Sequence, residues 1–477
     1  MKNSPQKIYI GSDWVESPKT LPIVNPYTGQ AFTQTFLADS SQIETALSRA
    51  ETSFAQTKRL SAYQRAETCE KVTRKIADLS DEFTKLIVLE AAKPLADAQR
   101  EVARAAAVFA DAAAEARRMG GDLLPMDLAP GAEGRFGLYR RFPLGTVFAI
   151  APFNFPLNLV AHKVAPAIAC GCPFLLKPSP KTPLTALLLA QVLSEAGLPP
   201  GSFSVFPCEN TDTEKIARDP RVKVLSFTGS ATVGWHLKGL APKKKVLLEM
   251  GGNAAVIVEP DADLDFAVKR IVAGGFSFSG QVCISVQRVY AHEKVYRELL
   301  DLLLPQIQAL KRGDPADMQT QIGPMISEDA AKRVESWVQE ALAGGAKALC
   351  GAKRDGSFYE PTFLTGVKPD MKISCEEVFG PVVVLEPYSE FSKALAKVNE
   401  GPYGLQAGVF THDLRKVQQA YENLEMGTVL INEVPTYRVD SMPYGGVKDS
   451  GFGREGVKYA IEGYTESRLL LVNPKTP

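Results

Sequence analysis

Five short apolar runs, Val147 to Ile150, Phe174 to Leu176, Phe203 to Phe206, Val222 to Phe227 and Val246 to Leu248, are separated by helical stretches at 157–169, 182–196, 211–218 and 231–239. Regular alternation of strand and helix implies βαβ units and a parallel sheet covered by helices. In open α/β sheets, ligands sit beyond the carboxyl ends of the strands. Two turns leave such ends here. Lys177-Pro178-Ser179-Pro180 follows one strand, and Phe227-Thr228-Gly229-Ser230 follows another and opens a helix. A helix N-terminus offers free N–H groups to phosphate.

A second alternation runs from 254 to about 435, with strands at Ala254 to Val258, Val286 to Ala291, Val382 to Leu385, Ala407 to Phe410 and Thr428 to Ile431. Its helices fall at 263–275, 293–311, 329–343, 389–399 and 413–424, so a second α/β domain is expected. Before the first alternation, residues 7–35 read as short strands and turns, and 40–120 as helical. Ser40 or Ser41 is the expected cap of the first helix, Arg65 to Leu79 and Phe83 to Ala91 continue it, and the alanine-rich run 102–116 forms a long helix. Phe136, Leu138 and Arg140 alternate with Gly137, Tyr139 and Arg141, which suggests an exposed or interface strand rather than a central one. The tail 464–473 is a strand candidate without an evident partner nearby.

Lys+Arg and Asp+Glu both number 54, so the net charge is zero and nothing points to nucleic acid or an acidic membrane. The 7 cysteines are odd in number and scattered, which argues against a disulfide framework and for a reducing compartment. Cys170-Gly171-Cys172 has no histidine at metal-site spacing and reads as core, so no metal is expected. The first six residues lack the apolar run of a signal peptide, and no stretch is apolar enough to span a membrane. A cytoplasmic protein is expected.

One cysteine stands out. Phe276-Ser277-Phe278-Ser279-Gly280-Gln281-Val282-Cys283-Ile284-Ser285 puts Cys283 after a glycine-bearing turn among small polar residues. Cysteine attacks as the thiolate, whose free pKa is about 8.5, so a reactive one needs activation. Backbone N–H groups of the Ser279-Gly280 turn, aimed at the sulfur, are one expected source, and a carboxylate base elsewhere in the chain is another. A buried apolar cysteine is the bland alternative.

Its company decides. Pro152-Phe153-Asn154-Phe155-Pro156, Leu248-Glu249-Met250-Gly251-Gly252, Gly280-Gln281-Val282-Cys283, Glu377-Val378-Phe379-Gly380-Pro381 and Pro443-Tyr444-Gly445-Gly446-Val447-Lys448, with Phe227-Thr228-Gly229-Ser230, together resemble the aldehyde dehydrogenase superfamily over nearly the whole chain. The resemblance implies that Cys283 is the nucleophile and that Asn154 acts with the Cys283 backbone N–H on the oxyanion. Glu249 would be the base that activates water against the thioester. A turn residue for Asn154 and a strand-end surface charge for Glu249 are the readings each would have alone. Glu249 also favours a free acid over a coenzyme A thioester as product. A coenzyme A-acylating semialdehyde dehydrogenase and a non-catalytic protein on the same fold are the alternatives.

For the coenzyme, the resemblance implies Lys177 and Ser179 at the adenosine ribose, Gly229, Ser230 and Gly234 near the pyrophosphate with Trp235 beside them, and Glu377, Phe379 and Phe153 at the nicotinamide end. NAD-preferring members carry a glutamate where this chain has Pro180. A carboxylate there would repel a 2′-phosphate, so NAD and NADP both remain, with Ser179 or Lys181 as phosphate partners. For the substrate, the channel positions hold Phe155, His162, Arg104 and Arg438, with Val282 and Ile284 flanking the cysteine. Arginines suit an anionic aldehyde, and the nearest subgroup acts on lactaldehyde, glyceraldehyde 3-phosphate and phosphono- or sulfo-aldehydes. The competing reading makes Arg104 a solvated helix face, Arg438 a structural ion pair and His162 a core histidine. Gly451-Phe452-Gly453-Arg454-Glu455-Gly456 fits a phosphate-loop pattern without its structural context and reads as a turn at the site's mouth.

The expected architecture is α/β, with two doubly wound parallel-sheet domains and a small β oligomerisation arm. The dinucleotide-binding domain takes 1–122 and 144–250, the catalytic domain 251–449, and the oligomerisation segments 123–143 and 450–477. A tail that completes a neighbour's sheet points to a homodimer or homotetramer.

Overall fold

Every apolar run of the first alternation becomes a strand of one sheet. A computed structural model describes residues 5–474. Four N-terminal residues of the stretch read as lacking signal character, and the last three of the expected oligomerisation tail, lie outside the described residues. The strands are Thr146–Ile150, Phe174–Lys177, Phe203–Val205, Val222–Thr228 and Lys245–Glu249, each parallel to its neighbours among the five. Across the sheet they lie third, second, first, fourth, fifth. The order therefore reverses between Thr146–Ile150 and Val222–Thr228, and such a switch point opens a crevice beyond the carboxyl ends. Ile8–Ile10 and Asp13–Val15 extend one edge, and Gly451–Phe452 pairs antiparallel with Leu248 and Glu249 at the other.

The second sheet contains Ala254–Val258, Val286–His292, Val382–Tyr388, Gln406–Phe410 and Thr428–Ile431, all parallel. Thr362–Thr365 and Lys347–Cys350 complete it. Neither was read as a strand, because both are short and Lys347–Cys350 is half-exposed and mixed in character. Residues 250–253 carry the chain from the carboxyl end of the first sheet to the amino end of the second. The two ends therefore face each other across the site.

Three expectations are corrected. Asp39, not Ser40 or Ser41, caps helix Ser40–Thr57. Its carboxylate accepts from the Ser41 and Gln42 N–H groups, and the Gln42 side chain accepts from the Asp39 N–H, a capping box. The alanine-rich helix runs from Leu95 to Arg118, longer than its alanines alone suggest. Phe136–Pro143 is the middle strand of a three-stranded sheet, between Gly121–Pro125 and Thr465–Val472. The tail thus finds its partner within its own chain. The strand is exposed as expected, since this small sheet leaves Leu123, Phe136, Leu138, Leu469, Leu470 and Leu471 exposed, but it is central to its sheet.

Candidate active site

Helix Leu264–Phe276 stops at Ser277, and a tight turn follows. Phe278, Ser279 and Gly280 adopt φ of 47°, 53° and 69°. Two non-glycine residues in the left-handed region are costly, and such strain persists only where surroundings enforce it. Here the Ser279 hydroxyl donates to the Gly323 carbonyl at 2.6 Å, and Phe278 is buried beneath the Lys93 ammonium. A Cβ on Gly280 would lie 2.1 Å from the Gly380 carbonyl oxygen. The turn delivers Cys283 to the amino end of strand Val286–His292. Its N–H groups do not reach the sulfur: that of Gln281 returns to the Phe278 carbonyl at 3.1 Å. The sulfur instead meets the Tyr444 hydroxyl at 3.1 Å. Burial pushes the thiol up to about 12. The Tyr444 hydrogen bond and Arg438 oppose this, while the Glu377 and Glu249 carboxylates add to it.

Strand Thr146–Ile150 runs out into the Asn154 loop. Asn154 is buried, and its Nδ2 donates to the Gln281 carbonyl at 3.0 Å, which ties this loop to the cysteine turn. An amide carries two N–H bonds, so one is left over. Glu249 ends strand Lys245–Glu249. It is 3% exposed, not a surface charge, and neither carboxyl oxygen has a hydrogen-bond partner. Burial, then the Glu455 charge, raises its carboxyl well above the usual range against Arg438, Lys163 and Arg454. A Cβ on Gly445 would lie 2.8 Å from Glu249 Oε1. Consecutive residues Tyr444 and Gly445 therefore touch the sulfur and the carboxyl. The structure brings Cys283, Asn154 and Glu249 together.

Behind them lies a buried charge network. Helix Asn158–Cys170 is buried throughout. Its Lys163 pairs with Glu455 at 2.9 Å and approaches the Ser226 hydroxyl at 3.3 Å. Burial opposes ionisation of Glu455, but Lys163, His162 and Arg438 hold its carboxyl at about 2. Arg438 lies over the Tyr444 ring at 3.7 Å and reaches Glu455 at 3.5 Å. Asp440 receives two bonds from Arg104, at 3.0 and 2.7 Å, and contacts His162 Nε2 at 2.8 Å. Arg104 is therefore neither a solvated face nor a free cation. His162 Nε2 also stands 3.1 Å from Arg438 Nη2. One nitrogen of a neutral ring cannot both donate and accept. The charged carboxylate is the stronger partner for Nε2–H, which leaves Nδ1 a bare acceptor, buried and unpartnered. Burial and the Arg438 charge lower the His162 pKa and keep the ring neutral. Phe155 carries Lys93 over its face at 3.7 Å, with Arg104 at 5.9 Å.

The sequence reading missed Tyr444, Glu455, Lys163, Asp440 and Lys93 as site residues. Lys163 had a signal, being the one lysine or arginine in a largely apolar helix. Glu455 lay inside the glycine pattern that was set aside.

At the crevice of the first sheet, Lys177 ends its strand, largely buried, and its ammonium has no hydrogen-bond or ion-pair partner among the described residues; burial lowers its pKa. The Ser179 hydroxyl accepts from the Lys181 N–H at 3.2 Å. The Gly229 N–H is taken by the Glu249 carbonyl at 3.1 Å. Ser230 precedes helix Ala231–Leu240 and leaves the helix N–H groups uncapped by its side chain. Gly234 packs where a Cβ would meet Met250 Sδ at 2.4 Å, and Trp235 keeps an unpartnered indole N–H. Across the cleft, Glu377 accepts from the Gly252 N–H at 3.1 Å, and burial pushes it up to about 7 against that bond and Arg333. Phe379 meets Phe153 edge-on at 5.8 Å. An unpaired ammonium, an open helix N-terminus and a buried carboxyl acceptor fit the phosphates and ribose of a dinucleotide. Among the described residues no group of histidines, cysteines and carboxylates could hold a metal ion.

Residues 14–470 match the aldehyde dehydrogenase family. A 3-sulfolactaldehyde dehydrogenase of Priestia aryabhattai is 42% identical over 467 residues, which is 98% of each chain. Aldehyde dehydrogenase 21 from Physcomitrella patens, solved in complex with the reaction product succinate, superposes with a TM-score of 0.98 at 42% identity, covering 100% of this chain and 99% of that one. Glyceraldehyde-3-phosphate dehydrogenase GapN from Methanocaldococcus jannaschii, complexed with NADP, superposes at 0.91 with 34% identity, covering 95% and 98%.

Two outcomes follow from this geometry. Glu455→Gln removes a negative charge that raises Glu249, so the Glu249 carboxyl band in the infrared should ionise at lower pH than in the unmodified protein. An unmoved or higher midpoint contradicts the electrostatic account. Gly280→Ala forces a Cβ onto a carbonyl in a left-handed turn and should cost more than about 1 kcal/mol of stability, read as a lower urea midpoint; an unchanged midpoint contradicts the packing.

Proposed function

We propose that this chain, which belongs to the aldehyde dehydrogenase family, converts small anionic or hydroxylated aldehydes to free acids through a thioester on Cys283. The chain is an NAD(P)-dependent oxidoreductase acting on aldehydes. The observation that carries the residue-level reading is the pair Tyr444-Gly445, which touches the Cys283 sulfur with one residue and the unpartnered Glu249 carboxyl with the next.

In this reading the sulfur attacks the aldehyde carbon. A C–S bond forms, and the spare Asn154 N–H and the Cys283 backbone N–H donate to the new oxyanion. When bound, NAD(P) supplies the acceptor for the hydride whose loss leaves a thioester. Lys177, Ser179, Gly229, Ser230 and Gly234 would hold its adenosine and pyrophosphate end, and Glu377, Phe379 and Phe153 its nicotinamide end. Glu249 takes a proton from a water, whose oxygen attacks the thioester carbon. The C–S bond breaks, the thiolate leaves and the acid departs. A buried carboxyl with two free oxygens suits that task and argues against transfer to coenzyme A. Pro180 puts no carboxylate at its own position, and among the described residues the exposed Lys181 makes no ion pair, which supports room for a 2′-phosphate.

An anionic or hydroxylated substrate is supported by two orphaned buried atoms, Arg438 Nε and His162 Nδ1, and by the sulfolactaldehyde and succinate of the relatives. We propose a homodimer or homotetramer, supported by the bare apolar faces of the three-stranded sheet. We place the protein in the cytoplasm, in keeping with its seven unpaired cysteines. No helix among the described residues is long and apolar enough to cross a membrane. The division into dinucleotide-binding (1–122, 144–250), catalytic (251–449) and oligomerisation (123–143, 450–477) segments is retained as part of the proposal.

Glu249→Gln should give a single burst of reduced coenzyme followed by turnover slowed roughly 10²- to 10⁴-fold; normal steady-state turnover sinks the base assignment. Arg438→Ala should lower kcat/KM for anionic aldehydes roughly 10- to 160-fold, the loss of a charge-assisted contact, and change neutral aldehydes far less. Equal losses on both count against an anion-binding role.

A further inference from the structure

The Cys283 sulfur sits in surroundings that disfavour its charge. It is flanked by the carboxyls of Glu377 and Glu249, with Arg438 opposing them and Tyr444 its single hydrogen-bond partner among the described residues. The turn before it sends its N–H groups elsewhere, and the Asn154 amide is partly committed to Gln281. Something must nevertheless favour the thiolate, because only the thiolate attacks.

Tyr444 is held on every side but one. Its backbone forms a reciprocal bridge with Glu455, at 3.0 and 2.6 Å. Its ring is stacked under the Arg438 guanidinium at 3.7 Å, and the residue is 1% exposed. Phenylalanine would fill this place equally well and spare the cost of burying a hydroxyl. The hydroxyl has one hydrogen bond, to the sulfur. A neutral thiol is a weak acceptor and repays that burial poorly. A thiolate is a charged acceptor, and hydrogen bonds to charged groups are about twice as strong as neutral ones.

We propose that Tyr444 is a positioning residue whose hydroxyl donates to the Cys283 sulfur, aims it at the substrate carbon and stabilises its anionic form. The inference rests on the reading of Cys283 as nucleophile. The Arg438 charge against the ring makes the phenol a better donor, so the same guanidinium serves the sulfur twice, directly and through the ring. Cys283, Arg438 and Glu249 are the charged or titratable groups that act on Tyr444 itself.

The test compares iodoacetamide modification of Cys283, followed by peptide mass spectrometry, in the unmodified protein and in Tyr444→Phe between pH 6.5 and 9.5, with Cys283→Ser as background. Losing a hydrogen bond to a charged group should raise the thiol pKa by about one to two units. A more basic thiolate is intrinsically more reactive, so the net slowing should be roughly 3- to 13-fold on the rising limb. That limb should move about 0.5 to 1 pH unit higher, while the melting temperature and coenzyme affinity stay put. Superimposed limbs overturn the proposal. So does faster modification of the variant, which would mean that the thiol donates to the phenol. Should Tyr444→Phe not fold, the S–H stretch of the unmodified protein, isolated as a difference against Cys283→Ser, gives the answer. A free-thiol frequency supports a donating phenol, and a band displaced to lower frequency contradicts it. If Cys283→Ser still oxidises aldehydes, the nucleophile assignment itself falls; if it is inactive and only the Tyr444 comparison fails, this inference alone falls.

Discussion

Where the two sheets meet, two successive residues of the chain have no room for side chains. A Cβ on Gly251 would lie 2.2 Å from a Glu377 carboxyl oxygen, and one on Gly252 would lie 2.6 Å from the Cys283 carbonyl. These residues belong to the four-residue crossing from Glu249 to Ala254. The crossing therefore sets three things by contact alone: where the carboxyl of the first sheet stops, where the cysteine turn begins, and where the Glu377 segment closes over both. Displacements of about 1 Å are enough to cost such a site its efficiency. The Gly252 contact, backbone packed on backbone, is the least yielding guard against them.

A second constraint is electrostatic. Lys93 is paired with Glu101, Lys163 with Glu455, and Arg104 with Asp440, all largely out of water. Removing one member of such a pair is far more damaging than the pair is stabilising, so these contacts fix positions more than they add stability. Glu101 also accepts the Leu157 and Asn158 N–H groups at the start of the helix behind Asn154. Lys93 lies between the rings of Phe155 and Phe278, one from each reactive loop. Within this frame burial raises the pKa of both reactive groups, the Cys283 thiol and the Glu249 carboxyl.

The parallel sheets were legible because strands buried on both faces read as continuous apolar runs. Val147 to Ile150 and Val222 to Phe227 needed no tertiary knowledge. Cys283, Asn154 and Glu249 were legible only jointly, since each alone reads as core, turn or surface. Phe136–Pro143 and the tail were legible as strands, but their pairing was not, because it joins segments more than 300 residues apart, which no local pattern reveals. Tyr444 and Glu455 were missed for a related reason. What they do depends on the bridge between them and on side chains from other elements that meet there. The Ser279-Gly280 turn shows the limit most plainly. A glycine near a cysteine suggests N–H groups pointed at sulfur, but the handedness of the turn decides, and here the Gln281 N–H folds back onto the Phe278 carbonyl.

The central claim is that the carbonyl carbon of the substrate becomes bonded to one particular sulfur before water releases it. Mass spectrometry of the protein acid-quenched during turnover tests this directly. The account predicts an added acyl mass, equal to the substrate acid less water, on the peptide that carries Cys283, present only when aldehyde and oxidised coenzyme are both supplied. No adduct under those conditions, or an adduct on another cysteine, would contradict it.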